Sequence, residues 1–208
     1  MQPANDFRHL MNNEFSGELH PSFKELKNLT SFAIHENNFT GTIPEYISNW
    51  TQLQMLSLMG NNFKEPLPAA ISTLEHLSVL EISDLTASPQ GISFPNISGL
   101  TNLQSLTLRN CSLDGLIPDF IWNISSLSYL DLSFNSLIGE IPPAVNLSSL
   151  KYIFLKRNKF NGSLPRWLTY YNHLYVQLTD GCTLKDLSFN SLIGEIPPAV
   201  NLSSLKYM

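Results

Sequence analysis

Charge is scarce in this 208-residue chain. Asp, Glu, Lys and Arg make up 14% of it, and the formal net charge is −5. No run of Lys and Arg occurs that could neutralise a phosphate backbone, which argues against a nucleic-acid partner. No stretch of 18 apolar residues occurs, so neither a transmembrane helix nor membrane contact by the chain itself is expected. The opening MQPANDFRHLMNNEF lacks the basic-then-apolar build of a signal peptide. Catalytic signatures are missing too. There is no phosphate-binding Gly-rich loop, no H-R-D or D-F-G, no G-x-S-x-G and no C-x-x-C. His9, His20, His35, His76 and His173 are scattered, without H-E-x-x-H. The expectation is a non-enzyme with no cofactor and no metal.

Cysteine is nearly absent, with only Cys111 and Cys182. They lie about three repeat units apart. At roughly 4.8 Å per unit that is about 14 Å, whereas disulfide-linked Cα atoms lie within about 7 Å. Cys111 is read as a buried residue of the repeat and Cys182 as an unpaired thiol.

What the chain does have is a repeat. Leu127 to Pro142, LSYLDLSFNSLIGEIP, reads L-x-x-L-x-L-x-x-N-x-L-x-G-x-I-P, and the phrase recurs along most of the sequence. Leu130 and Leu132 would share the inward face of a short strand, since residues two apart on a strand point the same way. Asn135 would turn the chain at the strand's end while its amide satisfies backbone groups of its own and the neighbouring coil. Gly139 would allow the bend that follows, and Pro142 fixes φ beyond it. The turning residues form a ladder: Asn13, Asn37, Asn61, Leu85, Cys111, Asn135, Asn158 and Asn190. Most steps are 24 residues, and the last is 32. Two positions after each ladder residue come Phe15, Phe39, Phe63, Leu113, Leu137, Phe160 and Leu192, expected to stack as an internal column. GTIP, GLIP, GEIP and GSLP follow in their coils, and EPLP at 65–68 is a variant.

Three irregularities stand out. The first coil is incomplete and has no polar cap, so the chain looks cut at the front. The fourth has Leu85 for Asn and a longer, irregular TASPQGISFPNISG, read either as a loose convex loop or as a partner-binding protrusion. Asp186 to Tyr207 copies Asp131 to Tyr152 without a change over 22 residues. Such identity points to a recent duplication or a gene-model error. The chain therefore divides into a solenoid over 7–168 and an irregular segment with the copied repeat over 169–208. Coils two to seven are expected to stack regularly.

These motifs resemble the plant-type leucine-rich repeat, found in the extracellular parts of plant receptor-like kinases and in polygalacturonase-inhibiting proteins. The resemblance implies a curved, right-handed α/β-type solenoid. It would carry short parallel strands on the concave face, with loops and 3₁₀ turns on the convex face. Leu100 to Pro142 looks like the ectodomain of a narrower subfamily, whose repeats precede a malectin-like domain, a membrane span and a cytoplasmic Ser/Thr kinase. Such a parent would signal from the extracellular face of the plasma membrane, and no residue here matches the kinase machinery.

The working surface would be the inner sheet, at positions flanking the inward leucines. These are Ala33, His35, Ser57, Met59, Glu81, Ser83, Thr107, Arg109, Asp131, Ser133, Phe154 and Lys156. The set shows no single-sign field and no aromatic pocket. It would suit a protein, a peptide or a cell-wall glycan, with a co-receptor as a further partner. Nine N-glycosylation sequons are an excess over chance for this composition: Asn28, Asn38, Asn49, Asn96, Asn110, Asn123, Asn146, Asn161 and Asn201. Asn110, directly before the ladder, is expected to be poorly accessible. Three functions follow: receptor recognition module, free-standing secreted inhibitor, or truncated product without independent function.

Overall fold

Each coil contributes one short strand to a continuous sheet, because the L-x-x-L-x-L phrase buries one side of the strand and leaves the other to its neighbours. The computed structural model describes residues 6–86, 91–143 and 145–167. In chain order the strands are β1 (Asp6–His9), β2 (Ser16–Glu18), β3 (Leu29–Ala33), β4 (Asn38–Thr40), β5 (Met55–Ser57), β6 (Val79–Ser83), β7 (Ile92–Ser93), β8 (Ser105–Arg109), β9 (Leu113–Leu116), β10 (Tyr129–Asp131), β11 (Ser136–Glu140), β12 (Tyr152–Phe154) and β13 (Lys159–Asn161). The inner sheet has seven parallel strands in the order β1-β3-β5-β6-β8-β10-β12. Its register aligns Phe32, Leu56, Leu80, Leu106, Leu130 and Ile153, all fully buried.

The ladder works as the sequence suggests. Asn37 Nδ2 donates to the carbonyls of Leu10 in the previous coil (2.8 Å) and Ile34 in its own (3.0 Å), while its Oδ1 accepts from Phe15 N (3.0 Å). Asn61, Asn135 and Asn158 repeat the pattern. Cys111 is fully buried and donates its thiol to the carbonyls of Ile82 and Arg109. It has no oxygen to offer in return. The Asn13 side chain donates to Leu10 O and Met11 O of its own coil and is exposed, while its backbone N–H donates to Glu36 O of the next. Asn190 and Cys182, like the copied tail, lie outside the described residues.

The column after the ladder is internal at Phe39, Phe63, Leu113, Leu137 and Phe160. Phe39 and Phe63 stack 6.4 Å apart at 2°. Phe15 departs from that expectation: it stacks on Phe39 at 6.4 Å but is 46% exposed, covered on one side only.

Where loops were expected after the ladder, the chain forms more sheet. One four-stranded sheet runs β13-β11-β9-β7 and a two-stranded one pairs β2 with β4. Isolated bridges from Thr42 to Lys64 and from Lys64 to Thr86 lie between them in sequence. At Gly139 φ is +86°, and a Cβ there would run into the Leu116 side chain of the coil before. That position needs glycine for its backbone, since the exposed Leu116 side chain is free to move aside. In the variant coil Glu65 replaces this glycine. Its φ is not positive, and both carboxylate oxygens are buried without a hydrogen-bond partner.

The convex side carries 3₁₀ turns at Pro21–Glu25, Glu45–Asn49, Ala69–Thr73 and Ile121–Asn123. Pro44 and Pro68 stand at the entry of the second and third. Turns also bind each other: the Glu45 carboxylate accepts from Ala69 N (3.0 Å) and Ala70 N (2.9 Å) of the next coil. Trp50 reaches back a coil to donate Nε1 to the Phe23 carbonyl at 2.9 Å.

Candidate functional site: the concave sheet and its rim

Counting back from each ladder residue, the positions at −6, −4 and −2 project from the inner sheet, and strand pairing aligns them into columns. The −4 column is Ala33, Ser57, Glu81, Thr107, Asp131 and Phe154, and the −2 column is His35, Met59, Ser83, Arg109, Ser133 and Lys156. The sheet thus brings all the expected concave residues together, but it does not expose them equally. Ala33, Ser57, Ser83, Thr107, Asp131, Ser133 and Lys156 are buried, a correction to their reading as exposed contact positions. The cause is geometric. Strands stand about 4.8 Å apart, so a small side chain such as Ser57 is covered by the larger ones beside it, and Lys156 is buried with its Nζ over the Phe134 ring. His35, Met59, Glu81 and Phe154 remain half-buried, and Arg109 is exposed.

One polar pair is local to its coil, and two others link neighbouring coils through the buried Ser57 and Ser31. Asp131 Oδ1 accepts from Ser133 N (2.9 Å) and from the Ser133 hydroxyl. His35 Nδ1 lies 3.1 Å from Ser57 Oγ, and His9 Nε2 lies 2.8 Å from Ser31 Oγ.

Two columns were missed by sequence reasoning. The −6 column contains Tyr129 and Tyr152. With Phe154 these rings form an aromatic cluster, Tyr129 lying 5.8 Å from Tyr152 and 5.3 Å from Phe154. Burial pushes the Tyr129 hydroxyl up to about 12, with Asp131 and Glu81 adding to the shift. These three rings make an aromatic cluster on coils six and seven. One more step of two-residue alternation would have found these tyrosines.

The second missed column is at −1. Asn12, Glu36, Gly60, Asp84, Asn110, Phe134 and Arg157 all have φ between 50° and 61°. This left-handed turn, ahead of the ladder residue, lines one rim of the sheet. Non-glycine residues accept it at about 1–2 kcal/mol each, so the sequence gives no glycine signal there. Phe134 gathers cations: Arg109 Cζ is 4.3 Å from its ring centroid, Arg157 Cζ 5.5 Å and Lys156 Nζ 5.8 Å. At the other end Glu36 and Asp84 line a polar groove of about 460 Å³ that includes Gly60 and Asn62.

Every sequon among the described residues is exposed: Asn28, Asn38, Asn49, Asn96, Asn110, Asn123, Asn146 and Asn161. Asn110, expected to be poorly accessible, is open because its left-handed backbone turns the side chain toward Asp84, whose Oδ1 accepts its amide at 2.8 Å. None of the eight lies within an inner-sheet strand. Among the described residues no group of three or more His, Cys, Asp or Glu could hold a metal ion. No helix there is long and apolar enough to cross a membrane.

The Leucine Rich Repeat family model matches residues 28–50, 102–124 and 126–147. The receptor-like kinase TMK2 of Arabidopsis thaliana is 30% identical over 132 residues, which is 61% of this chain and 14% of that protein. Among solved structures, the Arabidopsis receptor kinase HAESA ectodomain in complex with an N-terminally extended IDA peptide hormone superposes with a TM-score of 0.82. It is 33% identical, over 94% of this chain and 32% of that one. HAESA with IDA and the co-receptor SERK1 gives 0.79 at 30% identity, over 97% and 32%. The chain thus spans under a third of these proteins' lengths, and what it resembles in HAESA is the ectodomain. The chain is a leucine-rich-repeat solenoid, built like the repeats of plant receptor-kinase ectodomains.

Proposed function

We propose that this solenoid is the extracellular, peptide-recognising part of a plant leucine-rich-repeat receptor-like kinase. The ligand would lie across the concave sheet. The observation that carries the reading is the combination of a continuous seven-stranded face free of sequons with eight exposed sequons elsewhere. Glycans at Asn28, Asn49, Asn96, Asn123, Asn146 and Asn161 would cover other parts of the surface, while Asn38 and Asn110 lie at the rim beside Glu36 and Asp84 and would border the face. The peptide complexes of HAESA, similar over most of the chain, support a peptide as the ligand class and a co-receptor as a second partner. Signalling would pass to a kinase domain elsewhere in the parent. A malectin-like domain between the two is the arrangement that Leu100 to Pro142 resembles. The domain division into a solenoid over 7–168 and a further segment over 169–208 belongs to the same proposal.

The test is selection of displayed random peptides on the glycosylated chain, followed by variants on each face. Phe154→Glu and Arg109→Glu on the concave side should abolish capture. Lys159→Glu on β13, which is exposed and off the inner sheet, should leave it unchanged. Equal losses from both faces would refute a concave ligand site. Sequencing the full transcript tests the parent architecture, and a transcript without a kinase domain downstream would favour the secreted-inhibitor alternative.

A further inference from the structure

The rim and the concave columns divide by charge along the solenoid. On coils two to four the −4, −2 and −1 positions carry Glu36, Glu81 and Asp84, with no Lys or Arg. On coils five to seven they carry Arg109, Lys156 and Arg157, gathered around Phe134. The one carboxylate at these positions of coils five to seven, Asp131, is buried and accepts from Ser133. Glu36, Asp84, Arg109 and Arg157 are exposed, so their fields reach solvent. The Phe134 ring face offsets the repulsion among three clustered cations, since each is drawn to the same negative π surface.

We infer that the concave face selects an extended peptide of opposite charge polarity, acidic at one end and basic at the other. The ligand's acidic end would sit on Arg109 and Arg157, its basic end beside Glu36 and Asp84. The inference rests on the peptide-recognition reading above and adds the ligand's charge order and length. From Glu36 on coil two to Arg157 on coil seven there are five coil steps of about 4.8 Å, or roughly 24 Å. An extended peptide rises about 3.4 Å per residue, so about seven or eight residues bridge the two ends. Complementary charge fixes the direction of the ligand and speeds its capture more than it adds affinity. A peptide of the reverse order would place like charges together at both ends, which is the stronger discriminator.

The test uses a displayed random octapeptide library on the full glycosylated chain. Wild type should enrich sequences with acidic residues at one end and basic residues at the other. Arg109→Glu with Arg157→Glu should replace the acidic preference by a basic one. It should also weaken a wild-type-selected octapeptide more than about tenfold. Glu36→Lys should instead change the preference at the opposite end only. All three sites are exposed, and an unchanged thermal midpoint checks that each variant folds. Enriched peptides without charge polarity, or with polarity unmoved by the reversals, overturn this inference and leave peptide recognition standing. A library that yields no enriched peptide overturns both. An oligogalacturonide that binds wild type and not the arginine double variant, with no peptide enriched, replaces the peptide by a polyanionic glycan and overturns the inference as well.

Discussion

A ladder asparagine does more than occupy a turn. Asn135 donates to Leu108 O at 2.7 Å and Leu132 O at 2.9 Å, and accepts from Cys111 N and Leu113 N at 3.0 Å each. Replacing it by alanine leaves two carbonyls and two amides without those partners in the turn, at about 1–3 kcal/mol per orphaned group. Asn135→Ala should lower the unfolding free energy by about 3 kcal/mol or more, read from urea unfolding. A loss below about 1 kcal/mol would mean that water replaces the amide. Glu65 is the reverse case. Its buried carboxylate lacks partners among the described residues, so Glu65→Leu should raise stability by about 1 kcal/mol or more. The tyrosines add a pH dependence. Burial pushes Tyr46 and Tyr129 up to about 12. A folded pKa above the unfolded value of about 10 gives stability that is complete below pH 10 and lost as pH rises through 12. Phenolate absorbance should show these two groups titrating near 12 in the folded chain, and wild type should lose part of its advantage over Tyr129→Phe across that window.

At the scale of elements, inter-coil bonds from the convex side matter as much as the strands. The 3₁₀ turn Ala69–Thr73 is only five residues long, and its first amides have no partner within the turn. Glu45 from the coil before supplies both oxygens. Charge-assisted bonds of this kind are the stronger ones, so Glu45→Ala should cost about 1–2 kcal/mol. Glu45→Gln should cost less, because one oxygen still accepts. Equal thermal midpoints for the two variants would show that only the charge counts.

The inner strands and the ladder were legible in the sequence because each rests on residue identity at fixed spacing. The strands after the ladder were not. Runs such as Asn38–Thr40 are three residues long, too short for a two-residue period to emerge from the repeat that contains them. Burial of the concave serines was hidden for another reason. Ser57 sits beside Ala33 and Glu81 only because separate coils align, a property of the stacked sheet and not of any one strand. The left-handed rim was hidden because Glu36, Phe134 and Arg157 occupy it without glycine.

Across the whole molecule, stability of a solenoid is a sum of coil terms and interfaces between neighbouring coils. The interface between coils three and four lacks a ladder amide altogether, whereas Cys111 at the next one still donates its thiol to Ile82 O. Leu85 holds the ladder position and offers no amide, so Phe63 N donates no hydrogen bond among the described residues. The equivalent Phe39 N and Leu137 N are held by Asn61 and Asn158 at 3.0 Å and 3.1 Å. Glu65, with its unpartnered carboxylate, belongs to the same region. A chain of nearest-neighbour interfaces opens first at its weakest one. Hydrogen exchange should therefore find the Phe63 amide exchanging faster than those of Phe39 and Leu137, with opening energies stepping between coils three and four. Leu85→Asn would supply the missing Oδ1 to Phe63 N and an amide donor to the carbonyls of Leu58 and Ile82. It gives up the burial of a leucine, worth about 2 kcal/mol. The two effects separate in the measurement. Slower exchange at Phe63 relative to Phe39 marks restoration of the ladder even if global stability falls. Unchanged relative exchange would show that coil four is held by its apolar packing alone.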